Sequence, residues 1–471
     1  MSLRNLHLSL SLAFLFSFFI MKSCAVSEDG SDDVCLDETR NPEVNFASKT
    51  PYSFISGNIH AEVLALERSG CRVRSVWMMA RHGSRHPTDI DSSVMRNYLP
   101  LLREKILKAH ELGSGSLCQK AIDLLKQWTG GEFSYSRRMQ LFETGRNEME
   151  ELGVRMRAAL PHFFTEDALN RRISIWSTNT SRTTETAKAF LKGFSPSQDL
   201  QKNITVKTRD KILEFPETCY KYNKIILQGK HIPAFLEFLK GPEVKSVVNR
   251  VSKRIAVPAD KRMLGCVLIM YNACRYYKVM EPQKQSVWCA VFSTEDLEVL
   301  EYGEDLFLYH DHGYAFNITY EQACPVVKDV IQLFRDQNES SAFYFTHIET
   351  VMKVMTRFGL FNDSAPLGPR QRDSGRRWRT SNFGGFGSNI AFLLSQCQGE
   401  GWTVNTYINE RKTHLPKCAF PKGCPWLRFL QLYGQYEDCQ FDVLCENGNA
   451  GVDWQPDPWR LLRQWNFLKE L

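Results

Sequence analysis

The stretch "MMARHGSRHP", residues 78–87, places two arginines and two histidines within six consecutive positions. It overlaps the end of the apolar run "VRSVWMMA", residues 73–80, whose composition is typical of a buried strand. Pro87 stops a helix from continuing out of this turn but fits the first turn of a new helix. Positive charge concentrated at the end of a buried strand predicts a pocket that binds an anion.

A second strand with a charged end follows later in the chain. The segment "ISIWS", residues 173–177, alternates as a short strand does. "TNTSRTTETAKAFLKGF", residues 178–194, then predicts a loop and a capped helix with Arg182 near its start. The pattern of strand, polar loop and helix is therefore repeated.

A third unit has the same organisation. "AFYF", residues 342–345, is a short β-prone run, and "THIETVMKVMTRFG", residues 346–359, predicts a helix that ends near Gly359. His347 and Glu349 lie at the junction between them. In open α/β sheets, binding sites form beyond the carboxyl ends of the strands, and helix N-termini there favour anions.

If the three strands are neighbours, one cluster forms from Arg81, His82, Arg85, Arg182, His347 and Glu349. Arginine offers a rigid planar fork to phosphoryl oxygens, and a neutral imidazole can attack phosphorus. A carboxylic acid can protonate the leaving oxygen. Because the arginines take the role of a metal ion and no Asp/Glu/His cluster has convincing metal spacing, we expect neither a metal nor another cofactor.

The residues Arg81–Pro87 match the RHGxRxP signature of the histidine acid phosphatases. The later "HIET", residues 347–350, looks like the His-Ala-Glu variant found in the multiple inositol polyphosphate phosphatases, with Ile348 in place of alanine. That departure could narrow the site beside Glu349. Further segments resemble the same subfamily over about residue 45 to about residue 445: 286–314, 378–394 and 407–410.

This resemblance implies a mechanism. His82 is the implied nucleophile, which passes through a phosphohistidine, and Glu349 is the implied proton donor to the leaving alcohol. The implied phosphate-binding residues are Arg81, Arg85, Arg182 and His347. The substrates implied are inositol hexakisphosphate and lower inositol phosphates, and some members also act on 2,3-bisphosphoglycerate. A broad-specificity acid phosphatase and a non-catalytic anion-binding secreted protein remain the alternatives.

The resemblance also implies the fold, which is α/β with a phosphoglycerate-mutase-like core and an inserted, mostly helical domain. The division that we expect assigns 1–25 to a signal peptide, 26–100, 170–215 and 326–471 to the core with its C-terminal tail, and 101–169 and 216–325 to the helical insert.

The first 25 residues have the composition of a secretory signal peptide, with Arg4 ahead of an almost purely apolar run over residues 8–21. The alternative, a retained signal anchor, needs a longer apolar run. No later segment could span a bilayer, and the fourteen cysteines suit an oxidising compartment. We therefore expect a protein of the secretory pathway, either secreted or held in the endoplasmic reticulum lumen. The tail "LKEL", residues 468–471, is only a degenerate retrieval signal.

The net charge limits the kinds of partner that the chain can bind, and the cysteine count limits how its cysteines can pair. The chain has a net charge of +6, too small and dispersed for a nucleic-acid partner, so we expect a small-molecule ligand. Cys24 would leave with the signal peptide, and the odd remainder implies at least one unpaired thiol. Cys418 with Cys424, and Cys439 with Cys445, are close enough for local disulfides, although the connectivity stays open.

Several surface features stay open at this point. Basic residues outside the motifs could contact further phosphates or form a solvated face: Arg137, Arg138, Lys221 and Lys224. Candidate glycan acceptors are Asn203, Asn317, Asn338 and Asn362. A fifth sequon, at Asn179, lies beside the expected phosphate pocket, and we expect it to be unused.

Overall fold

The structure is a computed structural model that describes residues 41–164, 172–195, 197, 205–338 and 340–449. Within these ranges the chain forms one mixed sheet of eight strands. The strands are β1 Cys71–Arg81, β2 Arg172–Ser177, β3 Val206–Thr208, β4 Ser340–Thr346, β5 Asn389–Cys397, β6 Gly401–Ile408, β7 Arg411–Thr413 and β8 Cys424–Pro425. Their order across the sheet is β3-β2-β4-β1-β5-β6-β7, and β8 pairs with β6.

Helices make up most of the rest of the described chain. They are α1 Tyr52–Ile55, α2 Ile59–Arg68, α3 Asp89–Glu111, α4 Gln119–Gln127, α5 Glu143–Ala159, α6 Ser181–Phe194, α7 Asp210–Leu213, α8 Phe215–Thr218, α9 Tyr220–Leu227, α10 Pro233–Leu239, α11 Pro242–Ile255, α12 Met263–Met280, α13 Val287–Ala290, α14 Thr294–His312, α15 Asn317–Glu321, α16 Cys324–Arg335, α17 Ile348–Arg357, α18 Thr380–Phe383, α19 Trp426–Tyr433 and α20 Phe441–Leu444. Short 3-10 helices also occur, among them Ala47–Lys49.

Strand β1 lies in the middle of the sheet, and its apolar side chains are buried on both faces. Trp77 and Met79 belong to one hydrophobic cluster, and Val76 and Met78 belong to the cluster on the other side of the sheet. A strand covered on both faces shows a nearly continuous apolar run instead of alternation. The buried indole of Trp77 donates its N–H to Asp329 Oδ2 at 2.9 Å, which satisfies its polar atom.

The three predicted strands are neighbours and end at the same level. β4 pairs in parallel with both β1 and β2, and Arg81 lies opposite Thr346 while Ser177 lies opposite Phe345. The adjacency expected from the sequence is therefore confirmed, and so is the α/β fold. On the other side, β1 pairs antiparallel with β5.

Helices α5 and α6 pack closely on one face of this sheet because each presents a glycine to the other. A Cβ on Gly193 would lie 1.9 Å from the carbonyl oxygen of Glu150, and one on Gly153 would lie 2.2 Å from that of Phe190. This packing holds the first turn of α6, which carries Arg182, over the ends of β2 and β4. The expected side-chain cap of α6 is wrong, because Thr180 Oγ1 makes no N-cap hydrogen bond and contacts Thr183 Oγ1 at 2.8 Å.

The disulfides confirm one of the two local cysteine pairs and correct the other. Cys418 is bonded to Cys424, but Cys439 and Cys445 are not bonded to each other. The C-terminal segment turns back over α16 and α9, so its two cysteines face different helices. The described bonds are Cys71–Cys397, Cys219–Cys445, Cys274–Cys289, Cys324–Cys439 and Cys418–Cys424. Cys266 is buried and takes part in no described disulfide, which agrees with the odd count.

Some expectations lie outside the described residues, namely the signal peptide over 1–25, the sequon at Asn203 and the tail over 468–471. Among the helices of the described ranges, none has the length and apolar character needed to cross a bilayer. The division into core and insert stays a prediction. The described chain between β3 and β4 forms helices and no strand, from α7 to α16. The sequons at Asn317, Asn338 and Asn362 are exposed, and their use stays a prediction.

Candidate active site

The six residues expected to converge all lie at the carboxyl ends of β1, β2 and β4. Arg81 is the last residue of β1, and the His82 N–H donates to the carbonyl of Thr346 at 2.9 Å. The Gly387 N–H donates to the His82 carbonyl at 3.1 Å. The motif loop is therefore fixed on both sides, by β4 and by the segment that leads into β5.

The imidazole of His82 is held in one tautomer. Its Nδ1 lies 2.9 Å from the carbonyl oxygen of Gly83, which can only accept, so Nδ1 carries the hydrogen and Nε2 keeps its lone pair. Burial, and then the charges of Arg182 and Arg81, lower the pKa of His82 well below its usual range. The side chain is 3% exposed. A neutral imidazole with a free Nε2 is suited to nucleophilic attack.

Gly83 is needed for close packing. It does not adopt a positive φ, but a Cβ there would lie 2.6 Å from the carbonyl oxygen of Gly145 at the start of α5. A Cβ on Gly145 would in turn lie 2.2 Å from the carbonyl oxygen of Ser84. The two glycines let α5 support the motif loop directly.

His347 joins the ends of β2 and β4. Its Nδ1 accepts a hydrogen bond from Nη2 of Arg182 at 3.2 Å, because a guanidinium can only donate. Its Nε2 therefore carries the hydrogen, and lies 3.1 Å from Thr178 Oγ1 and 3.7 Å from Glu214 Oε1. Burial, followed by the charge of Arg182, lowers the pKa of His347 well below its usual range. The ring centroids of His347 and His82 are 5.7 Å apart.

The three arginines of the site have no acidic partner among the described residues. Arg81, Arg85 and Arg182 are at most 7% exposed, and within the described ranges none lies within 4.0 Å of a carboxylate. The Nε of each is buried and makes no hydrogen bond to a described residue. Burial, together with the charge of Arg85, lowers the pKa of Arg81 to about 9 and that of Arg182 to about 10.

Backbone carbonyls orient these arginines without neutralising them. Arg81 Nη1 donates to the carbonyl oxygens of Ser48 and Gly384, the latter at 2.9 Å, and its guanidinium lies 4.4 Å from the ring centroid of Phe386. Arg85 Nη1 donates to the carbonyl of His86 at 2.8 Å. Buried cations held in this way favour the binding of an anion with several oxygens.

Glu349 lies in the first turn of α17 and is partly exposed. Burial raises the pKa of its carboxyl, while its own backbone N–H and the charge of Lys353 act in the opposite direction. A carboxyl with a raised pKa stays protonated into weakly acidic solution and can act as a general acid. The neighbouring Ile348 packs against the hydrophobic cluster below the site.

Three residues near the site were not predicted from the sequence, although the positions of two of them could have indicated it. Lys49 is buried 3.7 Å from Glu304 Oε2, and burial, then the charge of Arg275, lowers its pKa to about 8. Thr178 directly follows β2, a position at which a polar contact could have been predicted. Lys353 follows Glu349 by four residues, and helical spacing places both on one face of α17.

Two of the four basic residues outside the motifs form ion pairs at the surface. Arg138 Nε lies 3.1 Å from Asp89 Oδ1, and Lys221 Nζ lies 2.9 Å from Glu446 Oε1. Contact between these residues and further phosphates stays a prediction.

The chain was compared with a family model and with individual proteins, and the two comparisons agree. The model of a family described as the histidine phosphatase superfamily (branch 2) matches residues 72–410. The multiple inositol polyphosphate phosphatase 1 of Gallus gallus is 26% identical over 434 residues, which cover 85% of this chain and 92% of the relative. The protein of the same name from Drosophila melanogaster is 24% identical, over 89% of this chain and 91% of the relative.

Solved structures show the same fold. The phytase from D. castellii superimposes with a TM-score of 0.68 at 17% identity, covering 88% of this chain and 90% of the phytase. The multiple inositol polyphosphate phosphatase of Bifidobacterium longum, solved with inositol hexasulfate, superimposes with a TM-score of 0.61 at 15% identity. That superposition covers 80% of this chain and 94% of the bacterial protein.

Proposed function

The chain belongs to the histidine phosphatase superfamily (branch 2), and on this premise we propose that it hydrolyses inositol polyphosphates, from inositol hexakisphosphate to the lower members, through a phosphohistidine. The names of the relatives from Gallus gallus and Drosophila melanogaster support this substrate class. The observation that carries the proposal is the set of three buried arginines around a neutral histidine, which have no carboxylate partner in the part of the chain that the structure describes.

In the first step, Nε2 of His82 attacks the phosphorus of a phosphomonoester. A nitrogen–phosphorus bond forms as the bond from phosphorus to the ester oxygen breaks, and the leaving oxygen takes a proton from the Glu349 carboxyl. The guanidinium groups stabilise the charge on the phosphoryl oxygens, and His347 holds Arg182 in place beside them. The products of this step are the free alcohol, a phosphorylated His82 and an ionised Glu349.

In the second step, water hydrolyses the phosphohistidine. The Glu349 carboxylate takes a proton from the attacking water, the nitrogen–phosphorus bond breaks, and inorganic phosphate leaves. His82 then returns to its neutral form and Glu349 to its protonated form. The low pKa of the buried His82 supports this cycle, because the imidazole is not lost to protonation in acidic solution.

The described disulfides support a location in the secretory pathway, where such bonds form and persist. The enzyme would therefore act on substrate that is outside the cell or in the lumen of the pathway.

The test is phosphate release from inositol hexakisphosphate by the purified protein, with a metal chelator present. We expect turnover far above background and successive loss of several phosphates. Absence of release would contradict the proposed substrate. A second assay with 2,3-bisphosphoglycerate and with a simple phosphate ester then separates a narrower or broader phosphatase from a protein that only binds anions. Stabilisation by phosphate in a thermal melt, in a protein that releases no phosphate in any of these assays, identifies the last of these.

A further inference from the structure

Lys353 is a buried cation one helical turn beyond Glu349. Both residues lie on α17, and residues four apart on a helix share a face. Lys353 is 0% exposed, and its neighbours Val354 and Met355 are also fully buried. Lysine is almost never buried to this extent unless its charge is compensated. The position therefore calls for an explanation beyond packing.

The ammonium group of Lys353 uses all three of its donors. Nζ lies 3.1 Å from the hydroxyl of Tyr222, 3.0 Å from the carbonyl oxygen of Asp311 and 2.9 Å from Nδ1 of His312. It also lies 4.3 Å from the ring centroid of Tyr222. Side chains from α9 and α14 thus hold the end of Lys353 in one place, beneath the site and away from solvent.

Asp311 supplies an opposite charge nearby, which helps to keep Lys353 protonated in spite of its burial. Its Oδ1 accepts a hydrogen bond from the Tyr222 hydroxyl at 2.8 Å. Although burial acts to raise it, the pKa of Asp311 falls to about 2 because of His312, His231 and Lys353. Burial lowers the pKa of His312 to about 3, which agrees with its role as an acceptor from Lys353. Asp311 is therefore ionised in neutral and weakly acidic solution.

We propose that Lys353 is a positioning residue for the reaction, whose fixed positive charge stabilises the ionised form of Glu349 and so sets the pH above which Glu349 stops donating its proton. This inference rests on the proposed role of Glu349 as general acid. Lys353 has no route to the substrate, since it is fully buried, and it acts only through Glu349.

Lys353 differs from the other cations that face Glu349. Arg81 and Arg182 also act to lower the pKa of Glu349, but they line the phosphate pocket and a bound phosphoryl dianion cancels their charge. Lys353 is fully buried and its ammonium group is held by Tyr222, Asp311 and His312, so a bound anion does not reach it. Burial lowers its own pKa to about 8, against the opposing effects of Asp311 and Glu349, so it stays charged in acidic and neutral solution. Tyr222 also faces Glu349 but carries no charge there.

The test is the pH dependence of kcat for Lys353→Met, measured on inositol hexakisphosphate. The alkaline limb reports the loss of the general acid, and we expect it to move up by about one pH unit, the lower end of the shift that a neighbouring opposite charge causes in a carboxyl pKa, because Asp311 offsets part of the charge of Lys353. Lys353→Arg, which keeps the charge, should return the limb to its wild-type position. If Lys353→Met does not fold, Lys353→Gln replaces it, because glutamine keeps hydrogen-bond donors at this position.

Tyr222→Phe is the matched control. It removes a hydrogen-bond partner of Lys353 and of Asp311 but leaves every charge in place, so it should lower the melting temperature without moving the limb. The inference is overturned if the alkaline limb of the pH profile stays in its wild-type position in folded Lys353→Met or Lys353→Gln. It is also overturned if Tyr222→Phe moves the alkaline limb as far as the Lys353 variant does. If the wild-type protein releases nothing from inositol hexakisphosphate, the proposed substrate fails, and the same profiles on 2-glycerophosphate still decide the role of Lys353.

Discussion

Arg182 and His347 are joined across the pocket, with Nη2 of the guanidinium donating to Nδ1 of the imidazole at 3.2 Å, although 165 positions separate them in the chain. The bond links the first turn of α6 to the residue that precedes α17. It orients both side chains before any anion is bound, so little ordering of side chains is needed on binding. The pocket is rigid because its members also position one another.

We expect Arg182→Lys to weaken the binding of inorganic phosphate by about 10- to 100-fold. Lysine keeps the charge but loses the planar fork, and a hydrogen bond between charged groups contributes roughly 1.5–3 kcal/mol. Isothermal titration calorimetry measures this directly. Arg357→Lys is the control, since Arg357 stacks on Tyr436 at 3.7 Å at the other end of α17. Equal affinities in the two variants would contradict a role for the fork.

We expect His82→Ala to abolish turnover while the protein still folds and still binds phosphate. The alanine removes the nucleophile, but the guanidinium groups of Arg81 and Arg182 remain. Phosphate release and a thermal melt with phosphate measure the two properties separately. His86→Phe is the matched change in the same loop, because the ring of His86 packs on Phe142 with centroids 4.1 Å apart, and it should keep its turnover. Turnover by His82→Ala would rule out a phosphohistidine.

We expect Glu349→Gln to lower kcat by about 10²–10⁴ for an ester of an ordinary alcohol, the usual contribution of a general acid. The loss should be much smaller for p-nitrophenyl phosphate, because p-nitrophenolate leaves without protonation. The ratio of kcat for the two substrates, in the wild type and in the variant, isolates this role. Equal losses on both substrates would mean that Glu349 binds or orients the phosphate and does not donate a proton.

The two site histidines should make the protein less stable in acid. Burial lowers the pKa of His82 and His347 in the folded state, so below about pH 6.5 the unfolded chain takes up protons that the folded chain does not. Their stabilising effect is complete above that pH and is lost as the pH falls, at up to about 1.4 kcal/mol per pH unit for each histidine. In urea unfolding, the free energy of unfolding of a His82→Asn, His347→Asn double variant should fall less steeply between pH 6.5 and 4.5 than that of the wild type. If the free energy of unfolding falls equally in the two proteins, the acid sensitivity does not come from these two histidines.

The sheet and most of the site could be predicted from local patterns. The apolar run of β1 indicates burial on both faces, and parallel strands place their carboxyl ends at one edge. Arg81, Arg182 and His347 could therefore be placed together without knowledge of the fold, since each directly follows a strand or begins the helix after one.

The contacts that could not be predicted join distant segments without a repeating pattern. The Ser48 carbonyl that orients Arg81 comes from a 3-10 helix 33 positions earlier in the chain. Glu214 reaches His347 from the turn between α7 and α8. Disulfide partners such as Cys219 and Cys445 are chosen by the tertiary packing of helices and not by spacing. Lys353 is the opposite case, because its spacing from Glu349 was visible in the sequence.

The central place of β1 in the sheet has a consequence for synthesis of the chain on the ribosome. Both strands that flank β1 come late, since β4 begins at Ser340 and β5 at Asn389. At about 5–20 residues per second, β1 emerges on the order of ten to fifty seconds before its first partner. For that time a two-sided apolar strand has neither neighbour, which is the condition under which nascent chains aggregate or bind chaperones. The catalytic loop is thus among the first parts to be made and among the last to be assembled.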